Sequence, residues 1–169
     1  MTASDAYKLY LTLNNNDTMP HFTLYPDTVL PPLQVNYTES STKPNSIKIL
    51  FIGMYPDSLR VGDNAHFSLT WQNISDKPIH RESGCTYSPL SLVVASQDHM
   101  SIELAHGLMC ADSVSSVYPN QIETDSLLVG KYQIMKAGPM NMTLTLHLSK
   151  DEDYQDLIQT VKFNVNATQ

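Results

Sequence analysis

From Ala65 the apolar residues Ala65, Phe67, Leu69 and Trp71 alternate with His66, Ser68, Thr70 and Gln72. A period of two sends the first set to one face of an extended strand and the second to the other, so this segment is predicted to turn one face to a core and the other to solvent. Met140, Met142, Leu144, Leu146 and Leu148 alternate in the same way with Asn141, Thr143, Thr145 and His147, and Val161, Phe163, Val165 and Ala167 alternate with Lys162, Asn164 and Asn166. These two segments are expected to form a closing hairpin around the acidic stretch 150–156. Residues 47–54 are more continuously apolar, with Ile47, Ile49 and Phe51 on one side and Leu50 and Ile52 on the other, which suits a strand covered on both faces. A turn at Tyr55-Pro56-Asp57-Ser58 follows, residues 121–128 and 131–136 read as further strands, and Ala137-Gly138-Pro139 reads as a turn. No sustained helical period with caps appears.

Two more short strands, 91–95 and 100–105, flank Ser96-Gln97-Asp98-His99 and are expected to pair as a hairpin, with Val93 opposite Ile102 and Ala95 opposite Met100. The same register carries Cys85 opposite Cys110. Opposed residues on neighbouring strands have alpha carbons about 4.5–5.5 Å apart, within the span of a disulfide. That bond would close about 25 residues and contribute on the order of 3 kcal/mol through the unfolded state. The competing reading of these thiols is a buried, reduced pair. Some seven or eight short strands with turn signals between them make the chain all-β, an antiparallel β-sandwich spanning residues 46–169. Residues 1–45 stand apart: Tyr7, Leu9, Leu11 and Leu13 alternate with polar neighbours as a first strand, and a proline-bearing stretch around Pro26, Pro31, Pro32 and Pro44 reads as an extended arm. The first strand is expected at the edge of its own sandwich, or alternatively added to the sheet of a neighbouring molecule, which would give self-association.

Leu127-Leu128-Val129-Gly130-Lys131-Tyr132-Gln133-Ile134 resembles the Leu-x-x-Gly-x-Tyr-x-apolar signature at the tyrosine corner of immunoglobulin-like domains, with Ile134 where antibody domains carry a cysteine. Val61-Gly62-Asp63 and Trp71-Gln72-Asn73-Ile74-Ser75-Asp76-Lys77-Pro78-Ile79 resemble a pattern of secreted prokaryotic immunoglobulin-like modules and, more faintly, of a bacterial proteinase-inhibitor family on the same sandwich. The resemblance covers residues 46–169 and implies an immunoglobulin-like fold with little bearing on activity. The Cys-Trp-Cys spacing of antibody domains is missing.

Composition narrows the partners. The chain of 169 residues has a net charge of −7 and no cluster of Lys or Arg, which argues against nucleic acid and anionic membrane surfaces. No apolar run approaches the roughly 20 residues of a membrane span, and the chain as given shows no signal peptide. Asn-x-Ser/Thr acceptor patterns at Asn16, Asn36, Asn73, Asn141 and Asn166 point to an extracellular or cell-surface glycoprotein, since an acceptor asparagine must be exposed. Asn141 and Asn166 are expected on outward strand faces and the other three in turns or linkers.

Ala105-His106-Gly107-Leu108-Met109-Cys110-Ala111 gathers imidazole, thioether and thiol, the donors that suit copper. The order of ligands differs from that of cupredoxins, in which His and Met follow the cysteine. With the thiol in a disulfide, His99, Met100, His106 and Met109 remain as a His/Met set. No nucleophile elbow, phosphate loop, Cys-x-x-Cys or His-Glu-x-x-His is present. The expected function is therefore a non-enzymatic, cofactor-free binding or structural module at the cell surface, in adhesion, a surface layer or a fibre. It would recognise a protein or glycan through the loops 73–84 and 105–119. The alternatives are a copper-binding periplasmic or surface protein and a proteinase inhibitor presenting a loop.

Overall fold

The computed structural model describes residues 30–83, 88–104, 113–127, 130–149 and 157–169, and among them there are twelve strands and no helix. The strongest alternations build the centre of one layer. β11 (Gly138–Leu148) and β12 (Leu157–Thr168) pair antiparallel over their length, with Met142 opposite Phe163 and Leu144 opposite Val161. β1 (Tyr37–Ser41) lies on the far side of β12, β6 (Leu90–Val94) lies on the far side of β11, and the short β3 (Leu59–Arg60) runs parallel to the end of β12.

The second layer is organised by β4 (His66–Asn73), which has β2 (Ile47–Tyr55) on one flank and β9 (Ile122–Ser126) on the other. β10 (Gly130–Ile134) continues along the β9 flank, because the Ala65 N–H donates to the Tyr132 carbonyl at 2.9 Å as the Leu127 N–H donates to Phe67 at 3.1 Å. β9 and β10 thus bond to the same flank of the segment 65–73. β7 (Met100–Leu104) pairs with β10 at the far edge. A smaller ladder, β5 (Ile79–Ser83) with β8 (Ser113–Val117), joins the first layer where His80 and Ser149 exchange main-chain hydrogen bonds of 2.7 and 3.0 Å.

Phe67, Leu69 and Trp71 meet the inward residues of β11 and β12 to form the core, with the rings of Phe67 and Phe163 6.0 Å apart and inclined by 57°. Burial of each large apolar side chain stabilises the fold by about 1.5–3 kcal/mol, so this face carries much of the favourable term.

Three expectations are corrected. Segments 91–95 and 100–105 do not form a hairpin: β6 pairs with β11 and β7 with β10, and residues 95–99 carry the chain from one layer to the other. A five-residue link is long enough to cross the roughly 10 Å between layers. Phe51 does not share a face with Ile47 and Ile49, because the β2 register shifts between Ile49 and Phe51, so Ile52 and Met54 enter the core instead. The proline-bearing arm is also more structured than a linker. Tyr37–Ser41 is an edge strand, and the preceding residues lie along the outer edge of β2, with the Leu33 N–H donating to the Ile52 carbonyl at 2.7 Å and the Met54 N–H to that of Pro31 at 3.0 Å. The first strand, Tyr7 to Leu13, lies outside the described residues.

The second face of β4 also differs from expectation. His66, Ser68 and Thr70 are buried although they point away from the core. Leu30 is packed there against Gly53, where an added Cβ would collide with Ser68 Oγ and with the Leu30 side chain, so the close approach requires glycine. Burial lowers the His66 imidazole from its ordinary 6.5 to about 4, and the folded chain holds it neutral. On acidification the unfolded chain binds this proton first, near 6.5, so stability present above that pH is lost as pH falls towards 4, up to about 3 kcal/mol. Urea midpoints measured from pH 7 to 4.5 should therefore decline, and His66→Gln should flatten that decline.

Candidate functional site

The end of the sandwich where β4 leaves the sheet is built around one side chain. Asn73 is fully buried, and its amide nitrogen donates to the carbonyls of Lys77 at 2.9 Å and Val117 at 2.8 Å. Its Oδ1 accepts from the Ser75 N–H at 2.9 Å and from Ser75 Oγ at 2.8 Å, which closes an Asx turn. Its main chain adds bonds to Asn120 and Gln121. The turn 74–78 and the turn 118–121, more than forty residues apart in sequence, are thereby held as one unit. The second turn is tightened by Asn120 in the left-handed region at φ 67° and by the Tyr118 N–H donating to the Gln121 side chain at 3.0 Å. On this frame Ile74, Tyr118 and Ile122 stay exposed, Tyr118 by 61%. Large apolar side chains held in solvent beside well-bonded turns are candidates for a binding surface.

Behind this end lies a buried charged cluster that the sequence reading missed. Asp125 projects inward from β9, where Trp71 Nε1 donates to its Oδ2 at 2.8 Å and Arg81 donates from β5 to its Oδ1 at 3.0 Å. Arg81 also donates to the Thr124 carbonyl and lies 3.7 Å from Glu123. Two opposite charges in a low-dielectric interior are tolerated when both are paired and hydrogen-bonded, and here they tie β5 of one layer to β9 of the other. A signal was present in the sequence: Glu123 and Asp125 are in phase with Leu127, placing carboxylates on a core face.

The five acceptor asparagines separate. Asn36, Asn141 and Asn166 are exposed, with Asn141 and Asn166 on the outer faces of β11 and β12 as expected. Asn73 was expected in an exposed turn, but it is buried with both amide hydrogens engaged, which leaves no room for a glycan. Asn16 lies outside the described residues, as do Cys85, Cys110, His106 and Met109.

Of the proposed copper ligands, Met100 is buried in the core. His99 Nδ1 is 3.0 Å from Asp98 Oδ1, while Lys136 Nζ donates to Asp98 Oδ2 at 3.0 Å. Lys136 and His99 hold the exposed Asp98 carboxyl below its usual range. This cluster ties the β6–β7 connection to the turn before β11. No group of three or more His, Cys, Asp or Glu able to hold a metal occurs among the described residues.

No protein-family model and no curated protein matches the chain. Among solved structures it is similar to the C-terminal domain of wzt, with 10% identity over 80% of this chain and 79% of that one and a TM-score of 0.42. It is also similar to part of a β-glucosidase from Listeria innocua in complex with gluconolactone, with 11% identity, 93% of this chain covered and a TM-score of 0.37. The chain spans only 20% of that enzyme. Likenesses this distant carry no argument about activity.

Because Asn73 satisfies carbonyls that burial would otherwise strand, Asn73→Ala should destabilise the fold by about 2–4 kcal/mol in chemical denaturation. Asn141→Ala, on an outer face, should stay within about 0.5 kcal/mol.

Proposed function

We propose that the chain is an immunoglobulin-like, non-enzymatic module at the cell surface or outside the cell that binds a protein or glycan through the end organised by Asn73. The observation that carries this reading is the rigid frame holding Ile74, Tyr118 and Ile122 in solvent. It includes part of the loop set expected from sequence, residues 73–84 and 105–119. The immunoglobulin-like assignment is supported by strand order: β2-β4-β9/β10-β7 corresponds to the A-B-E-D sheet and β6-β11-β12 to C-F-G. Tyr132, buried with its phenol pushed up to about 12 by desolvation, lies in the E position, so its likeness to a tyrosine corner is one of sequence and not of place.

An oxidising compartment is supported by the exposed Asn36, Asn141 and Asn166 and by the β5–β8 ladder. That ladder ends with Ser83 opposite Ser113, and Cys85 follows one strand by two residues while Cys110 precedes the other by three. The pairing of Cys85 with Cys110 loses the support of the 91–105 hairpin and rests here on each cysteine lying within three residues of a paired strand end, Ser83 or Ser113. Intact mass should rise by about 2 Da on reduction, and alkylation without reductant should label neither cysteine. Two labelled thiols would reject both the disulfide and its use as a sign of compartment.

Binding is tested by a photoreactive side chain replacing Tyr118, compared with the same group replacing Lys162 on the outer face of β12, applied to intact cells of the source. A discrete crosslinked partner at position 118, absent at 162 and abolished by Ile74→Asp, is the expected outcome. Equal labelling at both positions would show that this end is not the binding surface.

A further inference from the structure

The exposed strand edges of this fold are not treated alike. The outer edge of β2 is covered by residues 31–33. The outward carbonyls of β9 are taken up by side chains, that of Thr124 by Arg81 and that of Ser126 by Ser88 Oγ at 2.7 Å. β1 is polar along Thr38, Glu39 and Ser40. These are recognised ways of keeping an edge from pairing with another chain.

Among the described residues β6 and β7 have no such protection. They are neighbouring edges of the two layers, and between them lies an open groove of about 340 Å³ lined by Leu92, Val93, Val94, Met100 and Ile102 together with Gln97. In β7 the core-facing positions leave the core after Met100, which is buried, with Ile102 at 45% and Leu104 at 39% exposed. An inward-facing apolar row that emerges into water is left without its opposing layer.

The main-chain phase of β7 says how it can be covered. The Met135 N–H donates to the His99 carbonyl at 2.8 Å, so His99, Ser101 and Glu103 bond to β10. By alternation, the N–H and C=O groups of Met100, Ile102 and Leu104 point to the free edge, where no described residue pairs with them. An antiparallel copy of β7 centred on Ile102 uses all of them, since Ile102 meets Ile102 and each Met100 meets Leu104. The side chains are also self-complementary. Glu103 falls opposite Ser101 of the other copy, so the one charge in Met100-Ser101-Ile102-Glu103-Leu104 never opposes its own kind.

We propose that β7 pairs with β7 of a second copy about a two-fold axis beside Ile102, giving a homodimer in which the sheet β2-β4-β9/β10-β7 continues into its partner. Such an interface is isologous and closes, so it yields dimers and not fibres. It is independent of the binding end around Asn73.

Sedimentation velocity over about 1–200 μM tests this, since that range brackets a micromolar association. The full chain should sediment as a dimer, and Ile102→Asp as a monomer with an unchanged thermal transition. The register is tested by two substitutions on the outer face that leave the core alone. Ser101→Glu sets like charges opposite each other twice and should weaken association about three- to tenfold, whereas Ser101→Lys should strengthen it by a similar factor. A monomer throughout the range overturns the proposal, and so does a dimer indifferent to Ile102→Asp. A monomer whose Ile102 and Leu104 amides exchange slowly would also overturn it, by showing that a segment of the same chain occupies the edge.

Discussion

Strand β4 is buried on both faces, and each face imposes a different requirement. Towards the core, Phe67, Leu69 and Trp71 must meet β11 and β12. On the other side His66, Ser68 and Thr70 are withdrawn from water, where side chains of modest size and a glycine opposite Ser68 let Leu30 approach. A one-residue slip would exchange the two sets and place aromatic rings where only small groups fit. The register of β4 therefore fixes that of β2 and β9, and through the bond from Ala65 to Tyr132 that of β10 and β7.

The second constraint is electrostatic. Burying Asp125 is tolerable only because Trp71 and Arg81 both donate to it, and these residues come from β4 and β5. The cluster adds no great stability over an apolar core of the same volume, because desolvation offsets most of the attraction. Its effect is positional: β5 must sit where Arg81 reaches Asp125, and the turn held by Asn73 must then fall beside Val117. The end organised by Asn73 is thus set by the interior.

Strands with a clean period of two were legible in the sequence, and β4, β11 and β12 lie where alternation put them. What alternation does not encode is which strand pairs with which. Residues 90–94 and 100–104 are compatible with a tight hairpin, but the 95–99 link crosses between layers, and the two strands pair instead with β11 and β10. The register shift in β2 was hidden for a related reason, since Ile47 to Met54 is apolar on both sides and its phase leaves no trace. Asn73 was misread because an asparagine in a turn is commonly exposed, and one of the carbonyls that enclose it, that of Val117, comes from a segment more than forty residues away. Its neighbour Ile74 carried no pattern that would mark it as surface. The carboxylate of Asp125 did carry one, in phase with Leu127.

β12 is bonded on one side to β11, its neighbour in sequence, and on the other to β1, where Gln159 donates to Glu39 across 120 positions. During synthesis β1 emerges long before β12, the described strand it pairs with. An apolar edge strand kept waiting in that way would be open to pairing with other chains, and long-range pairing is slow to form. The run Thr38-Glu39-Ser40 suits that delay, because a polar edge offers other chains little to pair with until β12 completes the sheet.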